Sequence, residues 1–220
     1  MKKISSFNQL LGTFLLFIGL LIVFRIFYSG TLRYVTLSWN IFLAWIPYIL
    51  SDYFAQYRYK QKWKQLFLFS SWLLFFPNAL YIVTDLVHLQ EETNMPWWYD
   101  MVLVFSSSFI GIIMAFISLN KAEVYLKTIF NKREVAAAVC VILFLGSFGV
   151  YLGRFHRWNS WDVLNDPIGL GLDIFHKVLN PVDNYKAWAI TILFTAVYSL
   201  LYYFVKILPH SIHGNKNTGL

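Results

Sequence analysis

The residues of this chain that could do chemistry are ionisable and amide side chains set among long apolar runs. Asn78, Tyr81, Asp85 and His88 recur at spacings of three, four and three inside one such run, so an α-helix would carry all four on one face. Asp100 follows Trp97-Trp98-Tyr99 at the start of the next run, and the densest polar-aromatic stretch, Tyr151 to Asp162, supplies Arg154, Arg157, Trp158, Asn159, Trp161 and Asp162. Ionisable groups in an apolar setting are costly, so each needs a partner or a purpose. Two Arg beside aromatics suit a bidentate grip on a phosphate or carboxylate, which makes Asn78, Arg154, Arg157, Trp158, Asn159, Trp161 and Asp162 candidates for binding an anion. Asp85, His88 and Asp100 are candidates for acid–base catalysis. Asp85 and His88, joined by a third carboxylate, are the weaker candidates for a divalent metal. The same set also fits a plain Asp–Arg network that fastens helices together. In that reading Asn78 serves the backbone beside Pro77 and Asp100 complements a helix N-terminus. No cofactor is specified by any motif.

The elements that must position these residues follow from composition. Of 220 residues, 58% are hydrophobic, 20% aromatic and only 13% charged, where a water-facing domain carries charge on about a quarter of its residues. The chain is therefore expected to be all-α, a single polytopic membrane bundle, with Trp and Tyr at headgroup level. Six runs approach the length of about 20 apolar residues that a bilayer demands, at about 7–28, 37–56, 66–88, 98–119, 135–153 and 185–208. A polar tail, 209–220, follows, and its His210 and His213 read as a solvated end. The first run has no small-x-small cleavage pattern and reads as an uncleaved span.

Direction follows from Lys and Arg. With the N-terminus inside, twelve fall in inside segments and five outside, while eight of eleven acidic residues lie at or beyond the outer ends. Both termini are then expected in the cytoplasm of a cell-membrane protein. The net charge of +7 is met by an anionic lipid leaflet around the basic loop 58–64, with no need of nucleic acid. Arg25, three residues from its span's end, is expected to snorkel to the outer headgroups. Asp52 is expected to form an interfacial ion pair. Cys140, the one cysteine, excludes an intrachain disulfide and is expected to be buried and inert. Ser106, Ser107, Ser108 and Gly111, and the Gly149-x-x-x-Gly153 pair, suit close helix packing.

The one long connection, 154–184, lies on the outer side. Asp166-Pro167 reads as an N-cap followed by proline at the first helical position. From there Ile168, Leu172, Phe175, Val178 and Leu179 share one face, while Asp173, His176 and Lys177 share the other. A short amphipathic helix at about 167–180, in the outer interface, is expected; a buried re-entrant segment is the alternative.

Four stretches together carry a resemblance: Phe76-Pro77-Asn78-Ala79-Leu80-Tyr81, Thr84 to Leu89, Trp98-Tyr99-Asp100, and Tyr151 to Phe155 running into Arg157-Trp158-Asn159-Ser160-Trp161-Asp162. In that order they resemble the bacterial multi-pass membrane family known as domain of unknown function 1361. The resemblance implies a membrane protein and supplies no catalytic residues. Four functions stay open on the residues themselves. They are an outward-facing site that binds or modifies an anionic lipid or envelope precursor, a structural or assembly partner in the membrane, a small transporter, and a metal-dependent hydrolase.

Overall fold

The computed structural model describes residues 6–56, 62–90 and 94–213, and among them there are helices and no strand. The packing divides the chain into two compact units, 1–125 and 126–220, each described by itself.

The first unit holds α1 (Ser6–Ser29), α2 (Val35–Gln56), α3 (Lys62–Tyr81), a 3-10 helix (Ile82–Gln90) and nearly all of α4 (Trp97–Leu126). Its core combines aliphatic with aromatic packing: Phe54, Phe69 and Trp72 stand with ring centroids 5.2–5.6 Å apart, and the Tyr125 ring lies edge-on to Phe54 at 5.7 Å and tilted against Phe69 at 6.1 Å. Helices α3 and α4 approach closely where small residues allow it. The Ser108 hydroxyl donates to the Ile82 carbonyl at 3.1 Å, and a Cβ on Gly111 would stand 2.9 Å from the Ala79 carbonyl oxygen. The packing role expected of Ser108 and Gly111 is thus met, and it gives a physical reason for the small side chains.

The second unit holds α5 (Lys132–His156), α6 (Asp162–Asn165), α7 (Pro167–Leu179) and α8 (Tyr185–His213). Helix α5 opens on a capping box: Asn131 accepts from the backbone N–H groups of Arg133 and Glu134, and Glu134 returns a bond to the Asn131 N–H. Three backbone donors are thereby satisfied. Helices α5 and α8 pack antiparallel, with Trp188 stacked on Phe144 and Phe148.

Five helices, Ser6–Ser29, Lys62–Leu89, Trp97–Leu126, Lys132–His156 and Tyr185–Pro209, are long and apolar enough to cross a bilayer. The expected second span is helical over 22 residues. Trp39, Asn40, Trp45, Pro47, Tyr48, Ser51 and Asp52 dilute its hydropathy, so that it falls outside those five. Outward-facing positions carry Leu and Phe instead of charge, among them Leu16, Leu20, Leu200 and Phe204. Such a surface suits lipid, where backbone groups are satisfied within helices and apolar side chains face the tails. Cys140 is exposed on this surface, contrary to the expected buried thiol. The basic-loop residues 58–61 and the side chains of His210 and His213 lie outside the described residues.

Candidate functional site

In the first unit, Arg25 is the residue that sequence reasoning misjudged. It does not snorkel: the side chain is 1% exposed. Its Nε donates to Asp100 Oδ1 at 2.7 Å and its Nη2 to Asp100 Oδ2 at 3.1 Å, while Nη1 reaches Thr31 Oγ1 at 3.1 Å. The guanidinium carbon lies 4.5 Å from the centre of the Tyr34 ring. A planar fork matches a carboxylate at two points and stacks on an aromatic face. Asp100, in the first turn of α4, is in this way part of a helix-fastening pair, where catalysis was one expectation for it.

The α-helical face expected to carry Asn78, Tyr81, Asp85 and His88 is interrupted after Tyr81. Helix α3 ends at Tyr81 and a nine-residue 3-10 helix takes over. Three residues per turn replace 3.6, which rotates Asp85 about 80° from its α-helical position. Pro77 lies one turn upstream, Asn78 Nδ2 donates to the Phe75 carbonyl at 3.1 Å, and Thr84 Oγ1 donates to the Tyr81 carbonyl at 2.7 Å. Side chains thus draw off carbonyls that an α-helix would keep. Asp85 is buried and accepts from Asn40 Nδ2 at 2.9 Å; the His88 carbonyl accepts from Tyr34 Oη at 3.3 Å. Among the described residues, no three or more His, Cys, Asp or Glu gather closely enough to hold a metal ion.

At the other end of the first unit Asp52 forms its expected ion pair, with Lys121 of α4 at 2.7 Å. The same ammonium sits 4.3 Å from the centre of the Tyr48 ring.

In the second unit the polar-aromatic stretch resolves into two parts. Asn159 to Asp162 forms a local turn. Asp162 Oδ2 accepts from the Asn159 backbone N–H at 2.7 Å and from its Nδ2 at 3.2 Å. Asp162, one of the carboxylates that an Asp–Arg network could use, is therefore engaged in its own loop. Arg157 closes α5 in the left-handed conformation (φ 60°, ψ 25°), with its side chain exposed. Arg154 is half-buried in the last turn of α5, and Trp161 is half-buried before α6.

The other part converges on Asp173, which sequence reasoning left on a helix face without a role. Trp158 Nε1 donates to Asp173 Oδ2 at 2.9 Å, His156 Nδ1 stands 3.3 Å from the same oxygen, and Lys177 Nζ donates to Oδ1. On the far side of the imidazole, His156 Nε2 is 3.2 Å from the Tyr151 hydroxyl. Burial pushes the Asp173 carboxyl up, but the Lys177 and Trp158 hydrogen bonds and the charges of His156 and Lys177 outweigh it and hold it below the usual range. The Asp173-x-x-x-Lys177 spacing was the available signal, since i,i+4 places the two together on a helix.

Helix α7 presents these groups in an unusual sense. It begins as expected, with Asp166 Oδ1 accepting from the Gly169 N–H at 2.9 Å and Pro167 at the first position. Leu170 and Ile174 pack into the cluster around Tyr151, Leu152 and Ala187, and Lys177 is 2% exposed. Ile168, Leu172, Phe175, Val178 and Leu179 all face outward, Ile168 at 74% exposure. The ionic residues Asp173 and Lys177 are thus turned to the protein and the apolar face away from it, the reverse of a helix on a water-soluble core.

Long apolar helices with lipid-suited exteriors, and charges paired inside, define a multi-pass helical membrane protein. A family described as a protein of unknown function (DUF1361) matches residues 39–201. The chain belongs to that family, which spans every polar group described above except Arg25, Thr31 and Tyr34. No curated protein and no solved structure matches the chain.

Proposed function

We propose that the protein resides in the cell membrane with both termini in the cytoplasm, and that the outer end of its second unit binds an anionic lipid headgroup, from a phospholipid or a lipid-linked envelope precursor. The orientation is supported by the excess of Lys and Arg in the segments assigned inside. The observation that carries the binding reading is the outward apolar face of α7 beside the exposed Arg157. An amphipathic helix of this kind lies in the headgroup region with its apolar face among the acyl chains. A guanidinium at the same level offers paired N–H donors to a phosphate.

Native mass spectrometry of the protein gently extracted with its lipids tests this, beside the double variant Arg154→Ala/Arg157→Ala. A defined anionic lipid on the wild type, lost from an intact variant, is the expected result. A wild type that carries no such lipid, or a variant that retains it, removes the reading.

A further inference from the structure

We propose that His156 is an acid–base catalytic residue, held by Asp173, for hydrolysis of a phosphodiester in the headgroup of an anionic lipid. The inference rests on the lipid-binding reading above and goes beyond it in assigning a reaction. Its geometric basis is a continuous line of groups: Lys177 and Trp158 fix Asp173, Asp173 Oδ2 stands 3.3 Å from His156 Nδ1, and His156 Nε2 faces a hydroxyl, that of Tyr151.

Each link has a physical consequence. A carboxylate that accepts from Nδ1–H selects the tautomer whose Nε2 carries the lone pair. In that tautomer Nε2 accepts from the Tyr151 hydroxyl 3.2 Å away, an O–H of the kind from which a general base takes its proton. The imidazole is 35% exposed whereas Tyr151 and Lys177 are buried. It is therefore the most exposed member of the line and the one an incoming headgroup meets first. The exposed Arg157 follows it directly in sequence, and the apolar face of α7, which carries Asp173, points away from the protein. A fastening of α7 alone would not call for a buried ammonium, because apolar residues of similar size commonly do that at no loss of stability.

The step balances without a metal or redox partner, and its co-reactant is water. One O–H bond of a water molecule that has displaced the Tyr151 hydroxyl from His156 Nε2 breaks to that nitrogen as the oxygen forms a bond to phosphorus. The P–O bond to the leaving alcohol then breaks, and the proton on Nε2 passes to that oxygen. The products are a phosphomonoester and an alcohol, and His156 returns to its starting state. Asp173 is a positioning residue: it sets the tautomer and favours the transient imidazolium.

The test uses the full-length protein in vesicles of phosphatidylglycerol, with phosphatidylcholine vesicles as the neutral comparison, in water enriched in oxygen-18. Bound lipid is read by native mass spectrometry and cleaved headgroup by mass spectrometry of the products. The expected result is headgroup cleavage from phosphatidylglycerol with the label in the phosphomonoester. His156→Gln lowers the rate by about 10²–10⁴-fold, the usual share of general acid–base catalysis, while lipid occupancy is kept, which also reports an intact fold. Asp173→Asn lowers the rate and displaces its pH profile, which a merely structural role would not do. Lipid bound by the wild type without cleavage overturns the catalytic assignment alone, as does a His156→Gln rate equal to that of the wild type. Absence of bound phosphatidylglycerol on the wild type overturns the binding reading and this inference together.

Discussion

Arg25 in α1 and Asp100 in α4, 75 residues apart in sequence, meet through two parallel N–H···O bonds of 2.7 and 3.1 Å in an interior from which both side chains are almost wholly excluded from solvent. The pair joins the first helix to the fourth at the level where the 3-10 helix, Asn40 and Tyr34 also gather. Removing one partner of such a pair leaves a charge stranded away from water, at a cost of about 3–5 kcal/mol. Arg25→Met and Asp100→Leu are each expected to lower the thermal midpoint in detergent sharply. The double variant Arg25→Met/Asp100→Leu is expected to recover most of the loss, because no lone charge remains. A double variant no better than the worse single one would show that the pair does not act as a unit.

The contact between α3 and α4 makes a second prediction. A Cβ at Gly111 meets a backbone oxygen at 2.9 Å and Ile82 Cδ1 at 3.0 Å. The side chain of Ile82 can shift, but the Ala79 carbonyl belongs to a helix and cannot. Gly111→Val is expected to destabilise by about 1–3 kcal/mol, the usual cost of overpacking, and Gly111→Ala by less. Thermal unfolding of the two variants in the same detergent checks the order, and equal midpoints with the wild type would contradict the close approach.

What could be read before the fold was known divides along physical lines. Apolar run length set the helices, because a bilayer-length stretch leaves few alternatives. Asp166-Pro167 set the start of α7, because capping chemistry is local. The pairings were illegible. Arg25 had a local explanation in snorkelling, and only tertiary proximity brings Asp100 to it. The α-helical spacing from Asn78 to His88 misjudged where Asp85 and His88 point, because the chain passes into a 3-10 helix after Tyr81 and the changed pitch turns both residues together. Asp173 escaped notice because an amphipathic face shows two sides without saying which side meets protein. The burial of Lys177 decides that.

Asp173 also predicts how α7 responds to acid. Its carboxyl is held below the usual carboxylate range in the folded protein. A depressed folded value means that the group contributes stability above the unfolded value of about 3.9, and that this contribution is lost as pH falls through the folded value. Hydrogen exchange in α7, corrected for intrinsic rates, is therefore expected to remain slow from neutral pH down to about 4 and to accelerate below it. In Asp173→Asn the protection of α7 is expected to be reduced already at neutral pH and to lose this acid transition. An acid transition that persists in Asp173→Asn would assign it to another carboxylate.

Arg157 carries two separable roles, and a pair of substitutions divides them. Its backbone sits at φ 60° and ψ 25°, where the Trp158 N–H reaches back to the Leu152 carbonyl at 3.3 Å to close α5. A residue with a Cβ in that conformation costs about 1–2 kcal/mol, which glycine avoids. Arg157→Gly relieves this strain while losing the side chain, and Arg157→Ala keeps the strain while losing the same side chain. The glycine variant is expected to unfold at a temperature equal to or above that of the wild type, and above that of the alanine variant. Both are expected to lose affinity for phosphatidylglycerol vesicles to the same extent, because the guanidinium is absent from each. Lipid affinity that follows stability, recovering in the glycine variant, would mean that Arg157 serves the helix end and that the headgroup is held by other residues.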